Sequence, residues 1–217
     1  MKTKLLLILL ILTSFGIKAQ IPYFAPTVGD NKLYGYTSLK LRPGINAQET
    51  YTTFQYGIGK YFAAGLDIAT CVGSTHGGAL VRIGVPVSKW FNIGAQFTGS
   101  FNLNDNMGFS YLTNALYMNG AITSDGNLFW DSNTWYTVNR HSENTISQYA
   151  YLGYSASLPN GQTLTPMLGA IYSWKFDQDA DMAFGAYWTI KNYNVYLWGN
   201  DFFKSHPRFI VGVDFVI

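Results

Sequence analysis

This sequence predicts an all-β fold: a transmembrane, antiparallel, up-and-down β-barrel of about twelve strands. Three observations predict it. Apolar residues alternate with small or polar ones along most of residues 21–217, which is the period of a strand with two unlike faces. Charged residues are only 12% of the chain, against roughly 25% in an average soluble domain. Turn-forming clusters interrupt the alternation eleven times.

Residues 1–20 come first and stand apart. "MKTK" is a basic start, "LLLILLIL" an apolar core and "GIKAQ" a cleavage zone. This is the pattern of a secretory signal peptide, which is left out of the fold. Its removal takes Lys2, Lys4 and Lys18, leaving 11 Lys+Arg against 12 Asp+Glu. The remaining residues, 21–217, read as one barrel domain with no basic surface for nucleic acid. After residue 20 no stretch approaches the roughly 20 apolar residues that a spanning helix requires. Cys71 is the sole cysteine, so no internal disulfide can form.

The strands follow in order. In "AGLDIATCV" (64–72) Leu66, Ile68, Thr70 and Val72 oppose Gly65, Asp67, Ala69 and Cys71. In "ALVRIGVPV" (79–87) five aliphatic residues oppose Leu80, Arg82, Gly84 and Pro86. "NIGAQFTGSF" (92–101) and "MAFGAYWTIK" (182–191) repeat the arrangement. The second face is too rich in glycine and too poor in charge for the outside of a soluble sandwich. A transmembrane barrel inverts the faces, with apolar side chains toward lipid and the small, polar set toward the lumen.

The turns are "RPGINAQ" (42–48), "GKYF" (59–62), "GSTHGG" (73–78), "SKW" (88–90), "NLNDN" (102–106), "TSDGN" (123–127), "NRHSEN" (139–144), "PNGQ" (159–162), "DQDAD" (177–181), "KNYN" (191–194) and "KSHP" (204–207). Eleven turns separate twelve strands, at about 16 residues per strand and turn, enough for strands of roughly 9–11 residues that span a bilayer. Alternation is weakest over 107–146, where "NLFWDSNTWYTV" breaks the pattern. Ten strands with a long insert at 107–146 is the alternative. Aromatics cluster beside turns: Tyr61, Phe62, Trp90, Phe91 and Tyr193 at one rim, Phe101, Phe109, Trp174, Phe176, Phe202 and Phe203 at the other. Amphipathic rings settle at both lipid–water boundaries. The last stretch, "RFIVGVDFVI", pairs in this scheme with "LYGYTSLKLR" and closes the sheet.

The "KAQ" end of the leader, the tyrosine- and glycine-rich strands, the tight "GKYF" and "SKWF" turns and the terminal "PRFIVGVDFVI" resemble the small outer-membrane β-barrel proteins of Bacteroidota. That resemblance implies the cell outer membrane as location, outer-membrane lipid as surroundings, and recognition of the last strand by the barrel-assembly machinery. The last strand departs from the usual pattern, with its aromatic at Phe215 and Ile217 last.

The alternation assigns Lys40, Arg42, Glu49, Asp67, Arg82, Lys175, Lys191 and Asp214 to the lumen as pore-lining residues. Five are basic, which favours anions slightly. Twelve staves lie between the filled eight-stranded barrel and the sixteen-stranded channel. The expectation is a narrow, porin-like passage for small solutes or ions. A non-conducting structural or surface-interaction barrel is the alternative. No cofactor is expected. His76, His141 and His206 fall in outer turns, but ligand spacing for a metal is missing. The "DQDAD" stretch lacks the glycine and distal glutamate of a calcium loop. His141 and Ser142 in "RHSEN" raise the alternative of a lipid hydrolase, yet neighbours on a strand point to opposite faces. The chain is therefore expected not to be an enzyme.

Overall fold

The computed structural model describes residues 25, 27–44, 47–174, 177–204 and 206–217, without the side chains of 47 and 177–179. The leader, residues 1–20, lies outside the described residues, as do Lys175 and Phe176.

The described chain is almost entirely strand: β1 (Leu33–Arg42), β2 (Ala47–Ile58), β3 (Phe62–Cys71), β4 (Ser74–Pro86), β5 (Asn92–Asn102), β6 (Gly108–Ala121), β7 (Leu128–Asn139), β8 (Thr145–Tyr154), β9 (Ala156–Ser157), β10 (Thr163–Trp174), β11 (Asp177–Ile190), β12 (Tyr193–Asn200) and β13 (Arg208–Val216). All lie in one antiparallel sheet. The two-residue β9 continues the line of β8 and pairs with the start of β10. The barrel therefore has twelve staves. β6 and β7 fill the stretch of weak alternation, so the ten-stranded alternative is excluded.

Closure is made by β13 against β1, from Tyr34↔Val216 to Leu41↔Phe209. Leu33 and Ile217 exchange two further backbone bonds, of 2.7 and 2.9 Å. A closed ladder leaves no unpaired edge, which is the condition for a sheet to sit in hydrocarbon. An even number of staves brings the start of β1 and the end of β13 to the same rim, here called inner. The other rim is the outer one.

The outward face is the apolar one. Leu66 is 64% exposed, Leu197 54% and Phe184 52%. The inward face holds buried polar residues on nearly every stave, among them Thr53, Asp67, Arg82, Gln96, Asn133 and Asp214. Aromatic rims form on the outward surface. Phe101 and Phe109 meet edge to face at 6.2 Å beside the outer rim, and Tyr61, Trp90, Phe91 and Tyr193 are exposed at the inner one. Phe202 instead folds down and stacks on Phe184 at 4.3 Å.

Two local devices hold this register. Between β5 and β6 the ladder shifts from Ser100↔Tyr111 to Phe101↔Phe109. Ser110 is the extra residue of a bulge, so both phenylalanines stay outward and Tyr111 stays inward. Second, inward aromatics lie across glycines on the next stave: Tyr196 opposite Gly212, Trp198 opposite Gly185, Tyr151 opposite Gly169. A Cβ at Gly212 would fall 2.0 Å from the Tyr196 hydroxyl. Here the absent side chain is what lets a large ring lie against the wall.

Two turn positions differ from the sequence expectation. "GSTHGG" turns at 72–73 only, and His76 already belongs to β4. "DQDAD" is the start of β11, not a turn. In both cases short polar residues continue a ladder because their partners across the hairpin supply the hydrogen bonds.

Candidate functional site

The lumen is divided into two halves. A cavity of about 570 Å³ occupies the outer half. It runs from Lys40, Glu49, Cys71, His76, Asn139, Thr145, Asn200 and Arg208 at the outer rim down to Tyr34, Gln55, Arg82, Gln96, Tyr117 and Tyr187. A second space of about 290 Å³ adjoins it at the rim, lined by Lys40, Arg42, Gln48, Glu49, Cys71, Val72 and Arg208. Below the cavity the side chains close up. Tyr34, Asn119, Asp131, Thr165 and Asp214 are at most 1% exposed.

This floor is a hydrogen-bonded layer. Asn194 Nδ2 donates to Asp214 Oδ1 at 2.5 Å, and Thr189 donates to Asn194 Oδ1. Across the lumen Asn133 Nδ2 donates to Asp131 Oδ1 at 2.8 Å, and Trp135 Nε1 donates to Asn133 Oδ1 at 2.8 Å. The Arg82 guanidinium lies over the Tyr117 ring, 4.2 Å from its centroid. Cation–π contact is stronger where water is excluded.

Tyrosine dominates the wall. Tyr36 stacks on Tyr196 with centroids 5.7 Å apart and planes 6° apart, and Tyr51 meets Tyr36 edge-on at 5.8 Å. Tyr149, Tyr151 and Trp198 form a second group, with Tyr151 and Trp198 5.0 Å apart. Trp198 Nε1 donates to the Tyr187 hydroxyl at 3.0 Å. Apart from Tyr187, which alternation places on the inward face, the sequence reading assigned none of these rings to the lumen. The signal was their parity. Tyr34 and Tyr36 share a face with Ser38 and Lys40, and Tyr196 and Trp198 with Asn194 and Asn200.

Of the expected pore-lining residues, Lys40, Glu49, Asp67 and Arg82 line the main cavity and Arg42 the rim space. Lys40 Nζ binds Glu49 Oε1 at 2.8 Å across the β1–β2 hairpin. Tyr51 donates to Asp67 Oδ2 at 3.0 Å. Asp214 lies inward but beneath the cavity floor. Lys191 is in the two-residue turn between β11 and β12, exposed at the inner rim, so it is not on the lumen wall. Lys175 lies outside the described residues.

Arg208, which the alternation of the last strand also turns to the lumen, lines the cavity. The structure also brings in acids the sequence reading did not assign to the pore: Asp131, Asp181 and Asp201. Asp201 is the centre of an ionic cluster at the outer rim. Its carboxylate meets Arg42 at 2.9 Å, Arg208 at 3.1 Å and Lys204 at 3.2 Å. Its backbone N–H donates to Asp181 Oδ2. Burial disfavours its charge, but Arg208 and Lys204 outweigh burial and hold its carboxyl below the ordinary carboxylate range. With these acids counted, the lumen loses the cationic excess that an anion preference requires. The excess came from reading alternation alone. Asp131 sits in the stretch of weakest alternation, and Asp201 reaches the lumen from a loop.

The three histidines do not converge. His76 faces the cavity from β4, His141 lies in the exposed 140–144 connection beside Ser142, and His206 lies in the β12–β13 connection with Nδ1 3.3 Å from the Pro43 carbonyl. Among the described residues no three His, Cys, Asp or Glu side chains are grouped to hold a metal ion. His76 Nε2 lies 3.2 Å from Ser74 Oγ, two residues away on the same face of β4, a pairing the sequence reading did not single out.

The fold and lumen define a class: a closed twelve-stranded antiparallel barrel of porin-like architecture, apolar outside and polar within. No protein-family model matches the chain, and no curated protein does. Solved structures do. The chain is similar to one titled "KdgM porin in complex with disordered oligogalacturonate", with TM-score 0.64, 11% identity, and coverage of 84% of this chain and 98% of that one. It is similar also to a NanC porin, with TM-score 0.61, 12% identity, and coverage of 83% and 98%. At these identities the likeness is one of fold.

Proposed function

We propose that this protein is an outer-membrane, porin-like barrel that admits small polar solutes or ions from the outer side. One observation carries the reading: a polar cavity of about 570 Å³ lies inside a closed barrel whose outward face is apolar. The KdgM and NanC porins share this fold, which supports it. The floor is the constriction. Passage requires the layer around Tyr34, Arg82 and Tyr117 to part, so currents are small and set by that layer rather than by the rim.

The same reading keeps residues 1–20 as a cleaved export signal and places both barrel ends at the periplasmic rim. It takes outer-membrane lipid and the barrel-assembly machinery as partners, as for the Bacteroidota barrels that the chain resembles. No catalytic role is assigned to Ser74, His76, His141 or Ser142. The second reading, a barrel that binds without conducting, is favoured by the buried floor itself.

Planar-bilayer recording tests both. Wild type gives small stepwise currents. Tyr34→Ala removes a ring that is 1% exposed at the floor and enlarges the steps. Heat-dependent gel migration confirms that each protein is folded. No steps from either folded protein would refute conduction.

A further inference from the structure

The outer cavity is more specific than a wide polar passage needs to be, and we infer that it is a binding site for a neutral, polyhydroxylated ligand of about disaccharide size. This deepens the solute-passage reading above and rests on it. Its volume, about 570 Å³, falls within the roughly 300–1,000 Å³ of small-ligand pockets.

Aromatic faces stand on opposing walls. β1 and β7 are six staves apart in the closed order of twelve, half the circumference. Tyr36 and Tyr51 therefore look across at Trp135 and Tyr149, and all four line the cavity. Stacked tyrosines give a flat apolar surface with hydroxyls at its edge. That surface suits a sugar ring, which is apolar on its faces and polar around its rim.

Between the rings are polar atoms without partners. Asp67 Oδ1, Gln55 Oε1 and His76 Nδ1 are buried and make no hydrogen bond among the described residues. Asp67 is 4% exposed and Gln55 3%. A buried acceptor left unsatisfied costs about 1–3 kcal/mol, a cost that ligand hydroxyls would remove. Tyr34 Oη and Arg208 Nε, on the same cavity wall, are also buried without a partner among the described residues, so acceptors and donors are both free, which matches ligand hydroxyls that can accept as well as donate.

The charge pattern rules against a polyanion. Each cation of the wall is already engaged: Lys40 by Glu49, Arg208 by Asp201, and Arg82 over Tyr117. Asp67 would meet a carboxylated sugar as a like charge. A lone organic cation would satisfy Asp67 but would leave the opposing rings and the other unpaired atoms unused.

Calorimetry of the purified full barrel in detergent tests this without any need for conduction. The probes are cellobiose and maltose, digalacturonate, and choline. Cellobiose or maltose is expected to bind saturably and to change emission from Trp135 and Trp198, which line the cavity. Tyr36→Leu and Tyr149→Leu, from opposite walls, are each expected to weaken binding about three- to tenfold. Gel migration shows whether each variant is folded. Absence of saturable binding by both neutral disaccharides overturns the inference. So does tighter binding of digalacturonate or choline, or unchanged affinity in both folded variants. A barrel that binds cellobiose yet passes no current would retain this site and lose the channel reading. One that conducts but binds no disaccharide would do the reverse.

Discussion

Replacing Asp201 with asparagine tests whether charge holds the outer end of the lumen together. One carboxylate, 8% exposed, faces Arg42, Arg208 and Lys204, whose side chains are 32%, 30% and 33% exposed. Asparagine keeps the shape, loses the charge and leaves three cations to repel one another. An exposed ion pair is worth about 0.2–1 kcal/mol. Three bonds to one shielded carboxylate are worth more, discounted for the exposure of the cations, so the set contributes about 2 kcal/mol. Urea unfolding of the barrel from detergent should show that loss at neutral pH and low salt. The pH dependence has a definite sign. The folded carboxyl is held below its ordinary range, whereas an unfolded aspartate titrates near about 3.9. The stabilisation is therefore complete above the unfolded value and is lost as acid protonates the folded group. Wild type and D201N should converge on acidification. Equal stability at neutral pH, or a gap that does not shrink in acid, refutes the reasoning.

Further predictions concern packing, turn strain and topology. Gly212→Ala places a Cβ 2.0 Å from the Tyr196 hydroxyl and 2.5 Å from the Thr37 carbonyl; it should destabilise the barrel by about 1–3 kcal/mol, and unchanged urea unfolding would contradict the ring-over-glycine packing. Lys191 has φ 54° in its turn, so Lys191→Gly should stabilise by about 1 kcal/mol; a less stable variant counts against strain there. Cys71 is exposed at the outer end of β3, so a membrane-impermeant maleimide should label it on intact cells. Labelling only after lysis would invert the assigned topology.

The stretch 107–146 shows where local reading ran out. β6 and β7 obey strand parity, but several of their outward positions are polar. Ser132 and Thr134 face outward on β7, and both bond Gln148 of β8. Asn114 shares the outward face with Phe97 through its register. Inward, the same strands carry Phe129 and Trp135. A pattern with polar residues outside and rings inside has no hydrophobic alternation to detect, although the ladder is regular. Elsewhere most outward side chains are apolar, and strand count, faces and most turns could be read directly.

What the sequence determined by itself is therefore what a period of two can carry: closed-barrel class, twelve staves, and the inward assignment of Lys40, Arg42, Glu49, Asp67, Arg82 and Asp214. Side chains alternate about a strand whatever surrounds it, so this information is local. Only the tertiary structure decided which inward residues meet. Arg42 and Asp201 are 159 residues apart, yet they touch because β13 closes on β1. The slot between Tyr36 and Trp135 needs staves half a circumference apart to face each other. Whether a lumen of twelve staves stays open depends on the volume of all its side chains at one level. Here Tyr34, Tyr117 and Tyr187 close the bottom of the cavity, while the glycines opposite Tyr196 and Trp198 let those rings lie back against the wall and leave the outer half hollow.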